Sequence, residues 1–340
     1  MVSTTSTTDR SPITSSGYSP FPIASRAFWA AYGVQMRPYL LFVSGITGLV
    51  GLAVVPEPSV LRVLVLAPVF FLTYGFGQAL TDCFQLDTDA LSSGYRPLVR
   101  GELRRRDVLR VSLTGLVVSG VVIALCDPLT IPLAAACIVG LATYTPFKRR
   151  WWAGPFYNAW IVAGLFAIAV LAGDAAARLD VLARPVVAAT ALAVFFGYAN
   201  FVLSGYFKDV RADRATGYVT MPVRFGFRAS AWVSDGFALA AVAAAVCAAW
   251  LATGDLSLAI LPASGFLVVG TVATVTAQVR LHAVRRDEEA HRAIAPVVHA
   301  YLLLLAGVAA AAQPAWALPL LLFYLAFIVV LRARPVAAQI

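Results

Sequence analysis

Two acidic clusters stand out in a chain otherwise short of charge. In GYFKDVRADRATGYVTMPVRFG (residues 205–226), Asp209 and Asp213 lie four apart. On a helix that spacing puts both carboxylates on one face, one turn from each other. Unpaired, they repel. A divalent cation removes the repulsion, and Mg2+ is a hard ion that binds through one or two carboxylates plus substrate phosphates. In GQALTDCFQLDTDALSSGYRPLVRG (residues 77–101), Asp82, Asp87 and Asp89 offer a second set. Two such sets facing each other across a helix bundle would hold metal ions on a diphosphate. Arg96, Lys148, Arg149 and Lys208 sit close in sequence to these sets or in the neighbouring loop. Arginine forks onto phosphate oxygens, and lysine supplies a point charge. Charged loops are often no more than solvated, and their basic residues often serve only to orient a membrane protein. That account fits the carboxylates less well, because aspartate is scarce here and two clusters recur at matching places.

The elements that must position these residues are membrane helices. The chain of 340 residues is 60% hydrophobic and only 13% charged, where soluble proteins are nearer a quarter charged. Its apolar residues come in blocks of about 20, enough to cross a bilayer as a helix. The blocks run continuously, without the alternation of a barrel strand. The fold class expected is all-α, a polytopic transmembrane helical bundle of nine or ten spans. The candidate spans are 38–56, 60–80, 108–126, 129–146, 155–173, 183–204, 230–252, 257–278, 293–312 and 315–332. Residues 1–25, rich in Ser, Thr and Pro, read as a disordered tail without the apolar core of a signal peptide. Residues 26–334 read as one transmembrane helical domain, with Asp-rich loops at 81–101 and 205–226. The stretch from Arg26 to Tyr39 mixes aromatics with two arginines and suits the membrane interface.

The basic residues orient this bundle. Twenty-three of the 26 Lys and Arg fall in alternate loops, on the side of the N-terminus, and only Arg62, Arg178 and Arg184 fall opposite. Such bias places both termini and both Asp-rich loops in the cytoplasm. It also accounts for the net charge of +9 without a nucleic acid partner. The membrane expected is a bacterial-type plasma membrane. The acidic clusters follow spans two and six, which hints at a weak internal repeat. The four cysteines, Cys83, Cys126, Cys137 and Cys247, lack metal-like spacing and suit packing. His282, His291 and His299 are scattered, which argues against zinc.

At these loops the sequence resembles the UbiA superfamily of intramembrane prenyltransferases. TDCFQLDTDALSSGYRPLVRGEL is similar to the family's first aspartate-rich stretch, Asn-Asp-x-x-Asp-x-x-x-Asp followed by Tyr-Arg-Pro and Gly. DVRADRATGYVTMPVRFG is similar to the second, Asp-x-x-x-Asp followed by Gly, Thr-Leu-Pro-Val and Gly. YTPFKRR (144–150) resembles the Tyr-x-x-x-Lys between spans four and five. The agreement in order, position and sidedness covers roughly residues 35–312.

The resemblance implies a helical bundle with a lipid-accessible cavity, where Mg2+ ions bind an isoprenyl diphosphate. Ionisation of its allylic C–O bond gives a cation that an electron-rich acceptor captures. It implies metal or catalytic roles for Asp82, Asp89, Asp209 and Asp213, and diphosphate contacts for Arg96, Tyr144 and Lys148. Lys208 joins these by neighbourhood, and Asn158 as a polar residue of span five expected to face the cavity. The chain departs from the pattern at Thr81 and Gln85, where the family has Asn and Asp, and carries Asp87 in addition. Either Gln85 coordinates through its carbonyl, or Asp87 takes the missing role. The tenth span exceeds the family's usual nine. The function implied is transfer of a prenyl group to an aromatic or other lipophilic acceptor within membrane lipid. The alternative is a terpene cyclase of the same superfamily, which has no acceptor. A transporter or a catalytically silent lipid-binding homologue is the reading from a different class.

Overall fold

Apolar runs in a bilayer must satisfy their own backbone groups, and helices do this segment by segment. The computed structural model is accordingly all-helical among the described residues, which are 19–174, 176, 179–254 and 261–334. In chain order the helices are α1 (Arg26–Gln35), α2 (Leu41–Ala53), α3 (Val60–Asp82), α4 (Leu86–Ser92), α5 (Arg105–Cys126), α6 (Thr130–Lys148) and α7 (Gly154–Gly173). They continue with α8 (Pro185–Tyr206), α9 (Val210–Ala215), α10 (Met221–Thr253), α11 (Leu261–Ala283), α12 (His291–Ala312) and α13 (Ala317–Arg332). Among the described residues nine helices are long and apolar enough to cross a membrane. The bent pair Arg26–Gln35 and Pro38–Ala53, which meets at 50°, makes a tenth span if counted as one. The chain is a multi-pass membrane protein with the span count expected.

α2, α7, α8 and α12 pack against one another at the centre. α2 and α12 are buried along nearly their whole length. α3, α5 and α6 lie to one side of this centre, and α10 and α11 to the other. α13 lies outside, where the Phe323 and Phe327 rings pack at an angle against Phe42 of α2. Small residues let the central helices approach, as in other membrane bundles. At Gly51 of α2 an added Cβ would sit 2.6 Å from Ala169 Cβ and 2.9 Å from Phe166 O of α7.

The connections at one end of the bundle carry the functional residues. α3 ends at Asp82, the chain turns at Cys83 and Phe84, and α4 begins after Gln85. α8 ends at Tyr206, a 3-10 turn covers Phe207–Asp209, and α9 follows. Both acidic clusters thus occupy a long helix, a tight turn and a short helix, the likeness hinted at by their sequence positions. α10 starts at Met221, earlier than expected, and kinks at Gly226, whose φ of 78° and ψ of 172° suit only glycine.

The segment before the first span is a helix, α1. Its Phe28 and Tyr32 are buried against Ala79, Cys83 and Val108 of α3 and α5, and Tyr32 Oη lies 2.8 Å from Ser112 Oγ. Residues 1–18 of the expected tail, Arg10 among them, lie outside the described residues, as do Arg178 and 257–260 of the eighth expected span. The last part of the tail is docked: the Phe21 N–H donates to Glu102 O at 2.9 Å, and Ser25 caps α1 through the Phe28 N–H.

Gly51→Val is expected to lower stability by about 1–3 kcal/mol through overpacking of α2 on α7, measured by unfolding in mixed micelles. Gly236→Ala meets open space and is expected to be neutral or to stabilise by up to ~1 kcal/mol.

Candidate active site

The C-terminus of α3 places Asp82 in the interior, where its charge must be matched. Four groups do so. Arg37 Nη2 donates to both carboxylate oxygens at 2.9 Å. Gln35 Nε2 donates to Oδ2 at 2.5 Å and Gln78 Nε2 to Oδ1 at 2.7 Å. Arg96 Nη1 stands 3.5 Å from Oδ1. Arg37 reaches Asp82 from the break between α1 and Pro38, with φ 54° and ψ 74°. A left-handed non-glycine residue immediately before proline is costly, and the contact of Nη2 with both oxygens of a buried carboxylate offsets that cost.

Asp89 lies one helix face further along α4 and is paired with Arg96, both buried. Burial pushes the Asp89 carboxyl above the ordinary carboxylate range, and the Arg96 guanidinium opposes this shift. Gln85, just ahead of α4, accepts from Lys148 Nζ at 3.1 Å. Asp87 points elsewhere. Its side chain is 42% exposed and pairs with Arg149 Nη2 at 3.2 Å, while Tyr218 Oη donates to it at 3.3 Å. Asp87 is not among the residues lining the cavity described below, so the geometry does not place it in the role left open by Gln85.

The second set arrives from α8 and α9. Asp209 lies in the 3-10 turn with Lys208 Nζ 3.7 Å from its Oδ1. Asp213, fully buried, accepts from Thr220 Oγ1 at 3.1 Å and has Lys148 Nζ 3.6 Å from Oδ1. Lys148, at the end of α6, therefore stands between the two sets, with Gln85 on one side and Asp213 on the other. Its ammonium also lies 5.7 Å from the Tyr206 ring and 5.2 Å from the Tyr218 ring, within cation–π range. Oδ1 of Asp209 and Oδ1 of Asp213 are buried without a hydrogen-bond partner. Among the described residues no three Asp, Glu, His or Cys side chains converge as a metal cluster.

These side chains line one polar cavity of about 830 Å³. Asp82, Gln85, Asp89 and Asp209 face it together with Arg37, Arg96, Lys148 and Lys208. Tyr144 and Asn158 also line it, and Tyr144 Oη lies 2.6 Å from Tyr206 Oη. Asp213 lies behind Lys148, outside the lining. A second cavity of about 830 Å³ runs on into the bundle between α3, α5, α6 and α7, lined chiefly by apolar side chains such as Leu116, Ile123 and Leu165. Tyr74, Gln78, Thr81, Asn158 and Tyr198 line both, and form the junction.

Sequence reasoning missed Arg37, Gln35, Gln78 and Tyr206. Arg37 counted only toward the basic bias and the interfacial stretch before the first span.

Fold and site together define a polytopic membrane bundle with a split acidic site, cationic walls and an apolar chamber beneath. A sequence model of the UbiA prenyltransferase family matches residues 41–294, and the chain belongs to that family. The digeranylgeranylglyceryl phosphate synthase of Natronomonas pharaonis is 34% identical over 172 residues, 50% of this chain and 60% of that protein. The match thus spans less than two thirds of that relative. A solved UbiA homolog from Aeropyrum pernix K1 has a TM-score of 0.66 at 20% identity, over 80% of this chain and 97% of that one. A UbiA homolog from Archaeoglobus fulgidus bound to GPP and Mg2+ has a TM-score of 0.61 at 18% identity, over 83% and 99%. At such identities the likeness carries the fold. These relatives are archaeal, and the bacterial-type membrane expected from sequence gains no support from them.

Arg37→Ala is expected to destabilise the protein by a few kcal/mol, because it strips the main partner from a buried carboxylate. The double variant Arg37→Ala/Asp82→Asn is expected to recover about 1 kcal/mol or more of that loss. Additive losses in a double-mutant unfolding cycle would refute this coupling.

Proposed function

We propose that the chain is a Mg2+-dependent prenyltransferase that ionises an isoprenyl diphosphate and passes the prenyl group to a lipophilic acceptor. One observation carries this reading. Carboxylates from α3–α4 and α8–α9 line a single cationic cavity, and that cavity meets an apolar chamber at Tyr74, Gln78, Thr81, Asn158 and Tyr198. A diphosphate suits the first compartment and a prenyl tail the second, with the scissile C–O bond at the junction.

The donor set fits Mg2+. Asp209 and Asp213 each have a buried oxygen without a hydrogen bond, faced by a lysine ammonium at 3.7 and 3.6 Å, and the ion commonly takes one or two carboxylates and completes its shell with substrate phosphates. No protein-only metal cluster is needed for that mode. Asp82, Asp89 and Asp209 would hold it from the cavity wall, with Gln85 adding a neutral carbonyl and Asp213 reached past Lys148. Held by these residues, the ion would supply charge neutralisation to a departing diphosphate.

The chain's own residues supply the rest. Arg96, Lys148 and Lys208 place cations on a departing diphosphate. The Tyr144–Tyr206 hydroxyl pair and Asn158 give it hydrogen-bond partners. Tyr74 and Tyr198 present aromatic groups at the junction, where a positive allylic carbon would be stabilised. The apolar lining keeps water from that carbon. The basic bias favours a cytoplasmic position for this end of the bundle, the side from which a water-soluble diphosphate head would arrive.

The purified chain, given Mg2+ and C10 to C20 prenyl diphosphates, is expected to release pyrophosphate and form a prenylated lipid when a lipophilic acceptor is added. A cyclic hydrocarbon or alcohol formed without acceptor would favour the cyclase instead. Asp209→Ala is expected to reduce turnover about 100-fold or more, the scale of losing a preorganised charge-stabilising group. Full turnover in that variant would refute the assignment. Asp87→Ala is expected to leave the Mg2+ concentration dependence unchanged within about twofold, whereas Gln85→Ala is expected to shift it about tenfold, a change of ~1.4 kcal/mol. The reverse pattern in a metal titration would return the role to Asp87.

A further inference from the structure

Asp287 is a buried carboxylate that the reaction cavity does not include. It lies in the 3-10 turn Asp287–Glu289, between α11 and α12, with its side chain 9% exposed. Its partner is Arg211, near the start of α9. Asp287 Oδ2 accepts from Arg211 Nε at 2.8 Å and from the Arg211 backbone N–H at 3.4 Å. Arg211 Nη2 adds a contact with Glu288 Oε1 at 2.6 Å. Burial pushes the Asp287 carboxyl up, but the Arg211 hydrogen bond outweighs this and holds it below the ordinary carboxylate range.

The loop that presents Asp287 is itself braced. Glu289 Oε2 accepts from the Arg285 and Arg286 N–H groups at 3.0 and 3.3 Å. Val284, Ala290 and Ile294 are buried in the same core as Tyr206 and Phe207. The turn Asp287–Glu289 packs against the turn Phe207–Asp209, and Ile294 lines the reaction cavity. A fixed bracket between α11 and α12 thus reaches the outer side of the second acidic set.

Arg211 sits midway between Asp209 and Asp213 in sequence. Residues two apart on a helix do not share a face. Arg211 accordingly points to solvent, with its side chain 74% exposed, while Asp209 lines the cavity and Asp213 is buried beside Lys148. An exposed ion pair contributes little to global stability. A contact that also reaches the backbone N–H fixes where the helix starts, and with it the carboxylates on the inner face.

We propose that Asp287 is a positioning residue: it holds α9 so that Asp209 and Asp213 present their carboxylates to a metal-bound diphosphate. The tie stands on the geometry, and the positioning role rests on the Mg2+ reading above. Asp287 touches neither metal nor substrate and acts through Arg211 and the backbone of α9.

Asp287→Ala, Asp287→Asn and Glu288→Ala are compared with the wild type as full chains in detergent. Hydrogen exchange over α9 and Mg2+-dependent binding of geranyl diphosphate are read in parallel. Asp287→Ala is expected to speed exchange in α9 about tenfold, with α2 and α7 unchanged. It is also expected to raise the Mg2+ concentration for half-maximal binding about tenfold. Asp287→Asn keeps an acceptor oxygen for both Arg211 donors, and is expected to bring both readouts back to within about threefold of the wild type. Glu288→Ala is expected to match the wild type in both. Arg211→Ala removes the side-chain half of the tie from its exposed end and serves if Asp287→Ala fails to fold, with shifts in the same direction expected. Wild-type exchange over α9 in Asp287→Ala and Arg211→Ala overturns the tie. An equal effect of Glu288→Ala overturns the assignment to Asp287, and failure of Asp287→Asn to restore either readout overturns the acceptor contact as its cause. Faster exchange with an unchanged Mg2+ dependence overturns the positioning role. A wild-type chain that binds no geranyl diphosphate with Mg2+ overturns the Mg2+ reading and the positioning role together, and exchange over α9 then decides the tie alone.

Discussion

Carboxylates buried at the end of an apolar bundle must be compensated, and much of the local structure follows from that need. Asp82 ends α3 below the surface, and an isolated charge there would be prohibitive. Its compensation comes from Arg37, Gln35, Gln78 and Arg96. Two of these lie at the end of α1 and in the turn after it. The 50° bend between α1 and the first span, the left-handed Arg37 and the docking of Phe28 and Tyr32 under α5 all serve to deliver that pair to Asp82. The entrance of the chain into the bundle is therefore part of the site.

The spans were legible because continuous apolar blocks of bilayer length have few alternative structures. The two acidic sets, Arg96 and Lys148 were legible because charge is rare in such a chain, so its clustering carries information. The role left open between Gln85 and Asp87 was not resolved by type and spacing, although helical geometry bears on it. Asp87 and Asp89 are two apart, and residues two apart on a helix do not share a face. Once α4 is helical, Asp89 facing the cavity turns Asp87 outward to Arg149 and Tyr218. Arg37 was hidden for a different reason. Its partner is 45 residues away, and only the path of the chain brings the two together.

The junction between the polar and apolar compartments was likewise beyond spacing arguments. Tyr74, Tyr198 and Asn158 come from α3, α8 and α7, and nothing in the sequence of one helix tells which face meets the others. By residue type, the aromatics of α3 and α8 suit packing or the membrane interface equally well. What distinguishes Tyr74 and Tyr198 is that they line both cavities, a property of the assembled bundle alone.

The charge of the reaction cavity gives the Gln85 substitution a physical meaning. Arg37, Arg96, Lys148 and Lys208 line it against Asp82, Asp89 and Asp209, so the wall carries one cation in excess. A carboxylate at position 85 would cancel that excess and would sit beside the Lys148 ammonium, which lies 3.1 Å from the Gln85 oxygen. An aspartate there would pair with Lys148 and draw it away from a bound anion. The neutral amide accepts a hydrogen bond and leaves more of the lysine's charge available, with Asp213 as its remaining carboxylate partner at 3.6 Å. On the proposed Mg2+-dependent reading, the exchange would weaken the first set as a metal ligand and strengthen the wall as a direct binder of phosphate oxygens. On that reading the division of labour between metal and protein cations would tilt toward the protein, and Lys148, which stands between Gln85 and Asp213, is the residue through which the tilt would act.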